Sequence, residues 1–429
     1  MPDLDRYQYG YDQNSNRVWK ANVVGTPVVS GGLDEGYAYD NLNRLTQMQR
    51  GTLSGGVITG TPVAEQDWTL DPLGNWNGFV TKASGTTTLN QTRTQNPVNE
   101  ITAIGGTPAW ATPPAYDPAG NMTSFPQSAS PSSAFTATYD AWNRLVSVSS
   151  SGTTVAEYQY DGANRRVVAE TYSGGTLSET RHFYYTSNWQ DIEERVGTST
   201  SMDKQYVWGD PYIDELVCRD DATQRLYVTQ DANFNVTAIV DTTGTVQERF
   251  LYDPYGNSTV LTGSWTSTTD SYAWTYRHQG GRLDPATRNY NFRNRDYSTV
   301  LSRWLSRDPI GYLSGENLYD YANNRPTGSR DPWGTNSCDS GGGGGGGGQY
   351  AYVCTCTCQF QHASTEVATA TAYSPCLCPN WNRMACHRAC WISCSEGAPI
   401  VWAINFQIIF GILMNTPACC NEQHKAPHN

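Results

Sequence analysis

Within residues 293–334, two copies of the motif Asp-Pro-x-Gly hold the carboxylates whose type and spacing suggest chemistry. The first copy begins at Asp308 and the second at Asp331. Each copy suits a type I turn, which takes Asp at its first position, Pro at its second and Gly at its fourth. The catalytic alternative requires the fold to bring both aspartates together, because close carboxylates share one proton and then serve as an acid and a base.

The cysteines are the second set of candidate residues, and all but one of the 12 follow Gly334. Alternation at Cys354, Cys356 and Cys358 indicates a strand that carries its thiols on one face. The candidates for disulfide bonds are Cys354, Cys356, Cys358, Cys376, Cys378, Cys386, Cys390, Cys394, Cys419 and Cys420.

Three interpretations of this cysteine-rich tail are open. A module held by disulfides implies an oxidising compartment, and the odd number of tail cysteines leaves one thiol over. A zinc site is the second interpretation, with Cys386, Cys390 and Cys394 on one helix face beside His387, although no Cys-x2-Cys is present. Unstructured sequence after a frameshift is the third.

The rest of the tail gives no sign of an activity. Its histidines are too scattered to define a nuclease, deaminase or ADP-ribosyltransferase site, so we predict neither a tail activity nor a cofactor. Residues 398–414 form the one strongly apolar run, which is marginal in length for a bilayer and contains Asn405 and Gln407. We therefore predict a buried strand or helix there rather than a membrane span.

The composition favours many short strands joined by tight turns. The 429 residues include 40 glycines and 27 tyrosines, and only 16% are charged. Enrichment in aromatic residues and turn formers is typical of β structure. The net charge of −12 and the lack of a basic stripe argue against nucleic acid as a partner of the main body. No signal peptide and no apolar stretch of membrane-spanning length are visible.

A repeated phrase precedes the aspartate motifs: an aromatic residue, Tyr-Asp, two turn residues, then Gly or Asn. The copies begin at Tyr9, Tyr37, Trp68, Tyr116, Tyr139, Tyr158 and Tyr252, the first with one extra turn residue. Asp opens a turn by accepting nearby backbone N–H groups, and Gly or Asn three residues later tolerates positive φ. Each copy predicts a hairpin, and stacked hairpins bury each other's aromatic faces. The glycine- and threonine-rich residues 51–61 are predicted as a loop between hairpins.

Residues 1–334 resemble the YD-repeat (Rhs) family, which includes the C components of Tc toxin complexes and the teneurin shells. The resemblance is most specific in residues 276–290, 291–297, 302–311 and 317–326. By this resemblance, the chain divides into a repeat shell (1–265), an Rhs-associated core (266–334), a glycine-rich linker (335–348) and a variable cysteine-rich tail (349–429).

The resemblance implies a mainly β fold, in which stacked antiparallel hairpins form part of a spiral β-shell, with a small tail module of mixed or uncertain fold. The core is expected to plug the shell, which encloses or presents the tail as a toxin or effector. Because the repeats are few, we expect an open sheet, or an upstream YD-repeat segment or secretion-machinery component as a partner. An immunity protein for the tail and an extracellular or cell-surface location are further expectations.

The alternative function is a structural or adhesive cell-surface repeat protein without enzymatic activity. Carbohydrate is the ligand that its rows of Tyr and Trp side chains would suit. Intact protein on the cell surface and a harmless tail would favour this alternative over the delivery of a cargo.

In the family, the core acts as an aspartic autoprotease that severs the tail just past the second Asp-Pro-x-Gly. Carried over by position, this role falls to Asp308 and Asp331, with Arg303 or Arg307 keeping one carboxylate ionised. One carboxylate would activate water and the other would protonate the scissile peptide.

The same resemblance places the cleavage site at Gly334, Thr335 and Asn336, with scission between the last two. Thr335 departs from the family pattern, in which Leu or Phe seats the scissile strand in an apolar pocket. Self-cleavage is therefore expected at a position where threonine replaces the apolar residue of the family.

Overall fold

The computed structural model describes residues 3–110, 113–210 and 212–335, and beyond them only the backbone of five short segments of strand. The chain forms two compact units, Met1–Gly343 and Gly344–Asn429. The domain boundaries placed at residues 265, 334 and 348 stay predictions. The described residues contain strands, turns and two short 3-10 helices, so the mainly β fold is confirmed.

The first sheet contains eight antiparallel strands, each hydrogen-bonded to its neighbour in sequence. Its strands are β1 (Tyr7–Tyr11), β2 (Arg17–Asn22), β3 (Asp34–Tyr39), β4 (Leu45–Ser54), β5 (Val57–Leu70), β6 (Trp76–Ala83), β7 (Thr86–Gln95) and β8 (Ile101–Thr107). Residues 51–61 were expected to be a loop, but they extend β4 and β5, because Gly55 and Gly56 at positive φ close a tight turn between them.

The second sheet contains 14 antiparallel strands in the same sequential order. Its strands are β9 (Ala115–Tyr116), β10 (Met122–Pro126), β11 (Ala134–Tyr139), β12 (Leu145–Ser150), β13 (Thr153–Tyr160), β14 (Arg166–Ser173), β15 (Thr176–Tyr185), β16 (Asp191–Val196), β17 (Lys204–Trp208), β18 (Leu216–Asp221), β19 (Arg225–Gln230), β20 (Val236–Val240), β21 (Val246–Tyr252) and β22 (Ser258–Thr262). Sequential pairing is what a chain of stacked hairpins produces.

The core segment, which we define as residues 266–335, follows the second sheet. Its elements are β23 (Arg282–Leu283), β24 (Tyr290–Phe292), β25 (Arg295–Ser298), β26 (Arg303–Trp304), the 3-10 helices Gly311–Leu313 and Ala322–Asn324, and β27 (Ser329–Arg330), which pairs with β28 (Cys338–Asp339). Strands β23 to β26 form a small antiparallel sheet. The rings of Phe292, Tyr297, Trp304 and Tyr321 pack against one another, and each is at most 1% exposed.

The predicted turns are all present, and their hydrogen bonds follow one pattern. At Asp40, Oδ1 accepts the backbone N–H groups of Leu42 and Arg44, both at 2.9 Å. Asn43 sits between them at a φ of 62°, which is the left-handed region that asparagine tolerates. The turn chemistry inferred from the repeated phrase is therefore correct.

The first copy of the phrase has no extra turn residue, which corrects the sequence interpretation. The N–H of Asp12 donates to the carbonyl of Asn16, and the N–H of Ser15 donates to the carbonyl of Asp12. Ser15 has a φ of 64°, so it occupies the position that Gly or Asn holds elsewhere. The same turn also occurs where the sequence phrase was not recognised, at Asn96, Thr186, Asp231, Asp241 and Thr262.

At five of the described turns, the tyrosine before the first turn residue joins one hairpin to the hairpin before it. The hydroxyl of Tyr160 donates to the carbonyl of Leu145 at 2.7 Å, and that of Tyr185 donates to the carbonyl of Arg166 at 2.8 Å. Equivalent hydrogen bonds come from Tyr39, Tyr139 and Tyr252. This link explains why the repeat carries tyrosine there, since phenylalanine would fill the same space without the hydrogen bond.

The start of the first sheet lies against the end of the second sheet. Oδ2 of Asp5 accepts the hydroxyl of Thr229 at 3.0 Å, and Arg249 donates to the carbonyl of Leu4 at 3.0 Å. Within the described part of the chain, β1 and β22 are the end strands of their sheets. The contacts between these ends are made by side chains rather than by a ladder of backbone hydrogen bonds. The two ends of the expected open sheet are therefore joined by side-chain contacts.

The second unit contains a four-stranded antiparallel sheet in the order β30-β29-β31-β32. Its strands are β29 (Tyr350–Phe360), β30 (Thr365–Ser374), β31 (Ile400–Ile409) and β32 (His424–Lys425). The strand predicted from the alternating cysteines is therefore present as β29, and part of the apolar run forms β31. The side chains of the disulfide candidates are not among the described parts of the structure. The predicted zinc ligands, Cys386, Cys390, Cys394 and His387, lie outside the described residues.

Candidate functional site

Arg295 connects the two aspartates of the Asp-Pro-x-Gly motifs. Its Nη2 atom lies 2.8 Å from Oδ2 of Asp308 and 3.1 Å from Oδ2 of Asp331. The side chains of all three residues are only 3% exposed. One buried guanidinium therefore holds two carboxylates that are far apart in sequence, which is the proximity that acid–base catalysis by a carboxylate pair requires.

Both motifs are also turns, so the structural and the catalytic interpretations are compatible. The N–H of Gly311 donates to the carbonyl of Asp308 at 2.9 Å, and the N–H of Gly334 donates to that of Asp331 at 3.2 Å. Oδ1 of Asp308 accepts the N–H of Ile310 at 2.9 Å. The turns fix the backbone around each aspartate, which leaves one carboxylate oxygen of each residue on Arg295.

The peptide between Gly334 and Thr335 is bound at both of its polar groups by the same site. The carbonyl oxygen of Gly334 accepts Nε–H of Arg295 at 2.5 Å. The N–H of Thr335 donates to Oδ1 of Asp331 at 2.9 Å. Arg295 is placed to polarise the carbonyl of this peptide bond. Asp331 is placed to exchange a proton with its amide nitrogen.

Three consecutive residues hold the chain that leads into this peptide. Arg293 donates to the carbonyl of Pro332, and Nδ2 of Asn294 donates to the carbonyl of Trp333 at 2.9 Å. Arg295 continues the series at the carbonyl of the next residue. The turn between β24 and β25 therefore grips the segment after Asp331 residue by residue.

Gly334 is the residue that this close approach requires. Its φ of 65° lies in the left-handed region. A Cβ atom there would lie 2.7 Å from the carbonyl oxygen of Phe292 and 3.2 Å from the backbone nitrogen of Arg295. Any larger residue would have to push this segment away from the guanidinium.

Burial sets the protonation of the site. It raises the pKa of Asp308 to about 6, against the lowering effect of Arg295. It raises the pKa of a third carboxyl group, Asp320, to about 7, again against Arg295, while the charges of Asp308 and Asp331 add to the rise. Burial therefore favours the protonated form of both Asp308 and Asp320 relative to a carboxyl group in water.

Arg303 and Arg307 take part in other contacts. Nη2 of Arg303 donates to the carbonyl of Asn99 at 2.7 Å, and its guanidinium lies 4.7 Å above the ring centre of Tyr319. Nη2 of Arg307 pairs with Glu100 at 2.7 Å. These two arginines fasten the core segment to the first sheet, and the cation shared by the aspartates is Arg295.

Sequence reasoning missed Arg295 and Asp320 for a physical reason. Folding of the core segment brings Arg295 to Asp308 and Asp331, so no local spacing in the sequence identifies it. Its one available signal was its place inside residues 291–297, a segment that carries the family resemblance. Asn336, the last residue of the predicted cleavage site, lies outside the described residues.

The hairpin turns, the inter-hairpin tyrosines and the inserted aromatic core define a β-shell repeat protein. Residues 33–327 match the model of the Teneurin YD-shell family. The chain belongs to this family, and the predicted YD-repeat (Rhs) relationship is confirmed.

Curated relatives include a tRNA nuclease, a DNA deaminase toxin and a teneurin. The tRNA nuclease WapA of Bacillus subtilis (strain 168) is 26% identical over 375 residues, which cover 76% of this chain and 15% of that protein. Double-stranded DNA deaminase toxin A of Burkholderia cenocepacia (strain H111) is 25% identical over 354 residues, which cover 76% of this chain and 24% of that one. Human Teneurin-1 is 26% identical over 185 residues, 42% of this chain and 6% of that one.

The chain therefore spans 15% of the length of WapA. Among solved structures, TcdB2-TccC3 matches with a TM-score of 0.59 at 20% identity, covering 77% of this chain and 17% of that one. The Photorhabdus luminescens Tc holotoxin pore matches with a TM-score of 0.60 at 19% identity, with the same shares covered. These matches confirm the predicted β-shell fold.

The chain is thus an Rhs/YD-repeat shell of the kind that toxin proteins carry. Within the residues that the structure describes, none of the helices has the length and apolar character needed to cross a membrane.

Proposed function

We propose that this chain forms the C-terminal part of a YD-repeat shell that frees its variable tail by aspartic self-cleavage at the Gly334–Thr335 peptide. The observation that carries the proposal is the grip on that peptide, with Arg295 on its carbonyl and Asp331 on its nitrogen. The bond lies one residue before the one chosen from sequence, because both of its polar groups face the buried pair of aspartates.

Each residue has a distinct task in this proposal. Arg295 polarises the carbonyl of Gly334 and stabilises the negative charge that develops on its oxygen during attack. Asp331 lies on the leaving nitrogen and exchanges protons with it. Asp308, whose raised pKa keeps it partly protonated near pH 6, supplies the shared proton through the same cluster.

The tail that would be released begins at Thr335 and includes the cysteine-rich second unit. Its role as a toxin or effector, an immunity protein that binds it, and an extracellular or cell-surface location are parts of this proposal. An upstream YD-repeat segment or a secretion-machinery component is its proposed partner, supported by the small share of its relatives' length that the chain covers.

The test is to express the full chain and to follow its intact mass and N-terminal sequences during incubation. We expect the wild type to yield a fragment that begins at Thr335. Asp331→Asn should stay intact, because the amide cannot exchange the proton. Asp241→Asn is the matched control, since Asp241 opens a shell turn and its side chain bonds to Thr243, Thr245 and Gln247; this variant should cleave like the wild type.

The structural or adhesive alternative makes the opposite prediction. A wild-type chain that remains intact under these conditions would reject self-cleavage and leave a repeat protein without enzymatic activity. A carbohydrate-binding role would then be tested by glycan-array binding of the intact chain.

A further inference from the structure

Thr335 carries a buried hydroxyl in a place where an apolar side chain would pack as well. The residue is 5% exposed. Its Oγ1 atom is buried and has no hydrogen-bond partner among the described residues. A buried hydroxyl without a partner lowers stability, so a threonine here needs a reason beyond packing.

The neighbouring carbonyl supplies a reason. Oγ1 of Thr335 is separated from the carbonyl carbon of Gly334 by the Cβ, Cα and N atoms of its own residue, so attack on that carbon closes a five-membered ring. The carbonyl oxygen is bound by Arg295, and the amide nitrogen is bound by Asp331. One peptide therefore carries a hydroxyl, a carbonyl bound by a cation and an amide bound by a carboxylate that can accept a proton, which are the groups that nucleophilic catalysis uses.

We propose that Thr335 is the nucleophile of the self-cleavage, which proceeds by a shift of the Gly334 acyl group from the nitrogen of Thr335 to its own Oγ1. The inference rests on the proposed cleavage at this peptide and names the attacking group. Water then acts only in the second step.

The first step exchanges an amide for an ester. Oγ1 attacks the carbonyl carbon of Gly334, a C–O bond forms, and the C–N bond breaks. Asp331 takes the proton from the hydroxyl and gives it to the leaving nitrogen, on which its Oδ1 already lies. The product is an ester between Gly334 and Oγ1, with a free α-amino group on Thr335.

The second step is hydrolysis of that ester. Water adds to the ester carbonyl, which Arg295 still polarises, and the C–O bond to Oγ1 breaks. The proton that water loses returns to the threonine oxygen, which restores the hydroxyl. The second proton of that water passes from the new carboxyl group to the free α-amino group of Thr335, so Gly334 leaves as a carboxylate and the tail leaves with Thr335 as its first residue.

The glycine on the acyl side suits this route. Gly334 presents no side chain to the attacking oxygen, and the space that its Cβ would need is filled by backbone atoms of Phe292 and Arg295. The departure from Leu or Phe at position 335 then reflects a change of attacking group at a site of the same geometry. Valine at this position would keep the shape of threonine and lose only the hydroxyl.

The experiment uses the full-length chain and measures the first-order cleavage rate by intact mass. Thr335→Val should lower the rate by at least about a hundredfold, and Thr335→Ser, which keeps the hydroxyl, should stay within about tenfold of the wild type. Thermal unfolding of both variants checks that they fold. Asp331→Asn serves as the uncleaved reference.

Hydroxylamine provides a second readout that needs no variant. Added to the wild type, it should speed cleavage and give a hydroxamate on Gly334, because it attacks an ester far faster than an amide. A folded Thr335→Val that cleaves at the wild-type rate, or a wild type that releases only the acid at an unchanged rate, would overturn the threonine route and leave self-cleavage by water standing. A wild type that never cleaves would reject both proposals.

Discussion

The shell and the core segment use the same kinds of residue in different ways. In the shell, Asp140 and Arg144 pair within one turn at 2.6 Å, and both side chains are 19% exposed. In the core segment, Arg295 pairs with Asp308 and Asp331 across long stretches of chain, at 3% exposure. The shell pair closes a local turn, while the core pair joins distant segments and leaves three buried groups dependent on each other.

The difference shows where each part of the fold obtains its specificity. A shell turn is complete within five residues, so its stability is local and its copies are interchangeable. The core site exists only when β25 and both Asp-Pro-x-Gly turns are assembled. Mutations in the two regions should therefore differ in size, in pH dependence and in their effect on cleavage.

The largest effect is expected from Arg295→Met. Removing the guanidinium leaves two buried carboxylates without a cation, and breaking a buried pair in this way costs about 3–5 kcal/mol in the free energy of unfolding. Cleavage should also be lost. The shell counterpart, Arg144→Met, removes a half-exposed pair and should cost less than about 1 kcal/mol. Chemical denaturation of both variants tests the contrast, and equal losses would contradict it.

The pH dependence of stability should have opposite signs at the two kinds of aspartate. The folded pKa of Asp308 is raised by burial from 3.8 to about 6, so its protonated form favours the folded state. Its contribution is fully present below 3.8 and is lost as the pH rises through 6. Relative to the wild type, Asp308→Asn should therefore gain up to roughly 3 kcal/mol of stability between low and neutral pH.

Asp140 supplies the opposite case. Burial opposes ionisation there, but hydrogen bonds from Arg144 and Trp142 lower the folded pKa of Asp140 below its ordinary value. Its contribution is present above the unfolded value and is lost as the pH falls. Asp140→Asn should thus lose stability relative to the wild type as the pH rises from acid to neutral, and parallel curves for the two variants would reject the distinction.

A smaller effect is expected where the core segment touches a shell turn. Gly256 and Gly244 are both at positive φ, 90° and 84°. A Cβ on Gly256 would overlap the ring of His278, while a Cβ on Gly244 would meet nothing within 4 Å. Alanine at either position strains the backbone, but Gly256→Ala should cost about 1–3 kcal/mol more in unfolding free energy. Similar unfolding midpoints for the two variants would show that His278 does not restrict the space at Gly256.

The smallest effect concerns the hydrogen bond between hairpins. Tyr160→Phe removes the hydroxyl that donates to the carbonyl of Leu145, and should cost about 1 kcal/mol. Tyr184→Phe is the matched control, because Tyr184 is 42% exposed and does not precede a turn aspartate. Urea denaturation that finds the same loss for both variants would remove the reason given for tyrosine in the repeat.

The predictability of each region follows from the range of its interactions. The hairpin turns at Asp40 and Asp140 were predicted because their backbone hydrogen bonds close within five residues, although Arg44 and Arg144 also donate to the next turn. The turns at Asn96 and Thr186 were missed, because other side chains supply the acceptor or the backbone forms the turn without a Tyr-Asp signal. In the first copy, Asn16 was taken for the turn residue at positive φ. That residue is Ser15, and serine is not a recognised signal for this conformation.

The candidate site was predicted only in part. Asp308 and Asp331 were identified through their motifs, but their cation was assigned to Arg303 or Arg307, which are close in sequence to Asp308. Arg295 instead approaches through the sheet of the core segment. Burial also raises the pKa of Asp320, and the burial of a single carboxyl group by residues distant in sequence has no simple pattern in sequence.

The most direct test of the account is the intact mass of the purified full-length chain after incubation near pH 6, where Asp308 is partly protonated. The account predicts two products, residues 1–334 and residues 335–429, with Thr335 as the new N-terminus. A single species of 429 residues would contradict it. Cleavage at any other bond would show that the grip of Arg295 and Asp331 on the Gly334–Thr335 peptide does not select the scissile bond.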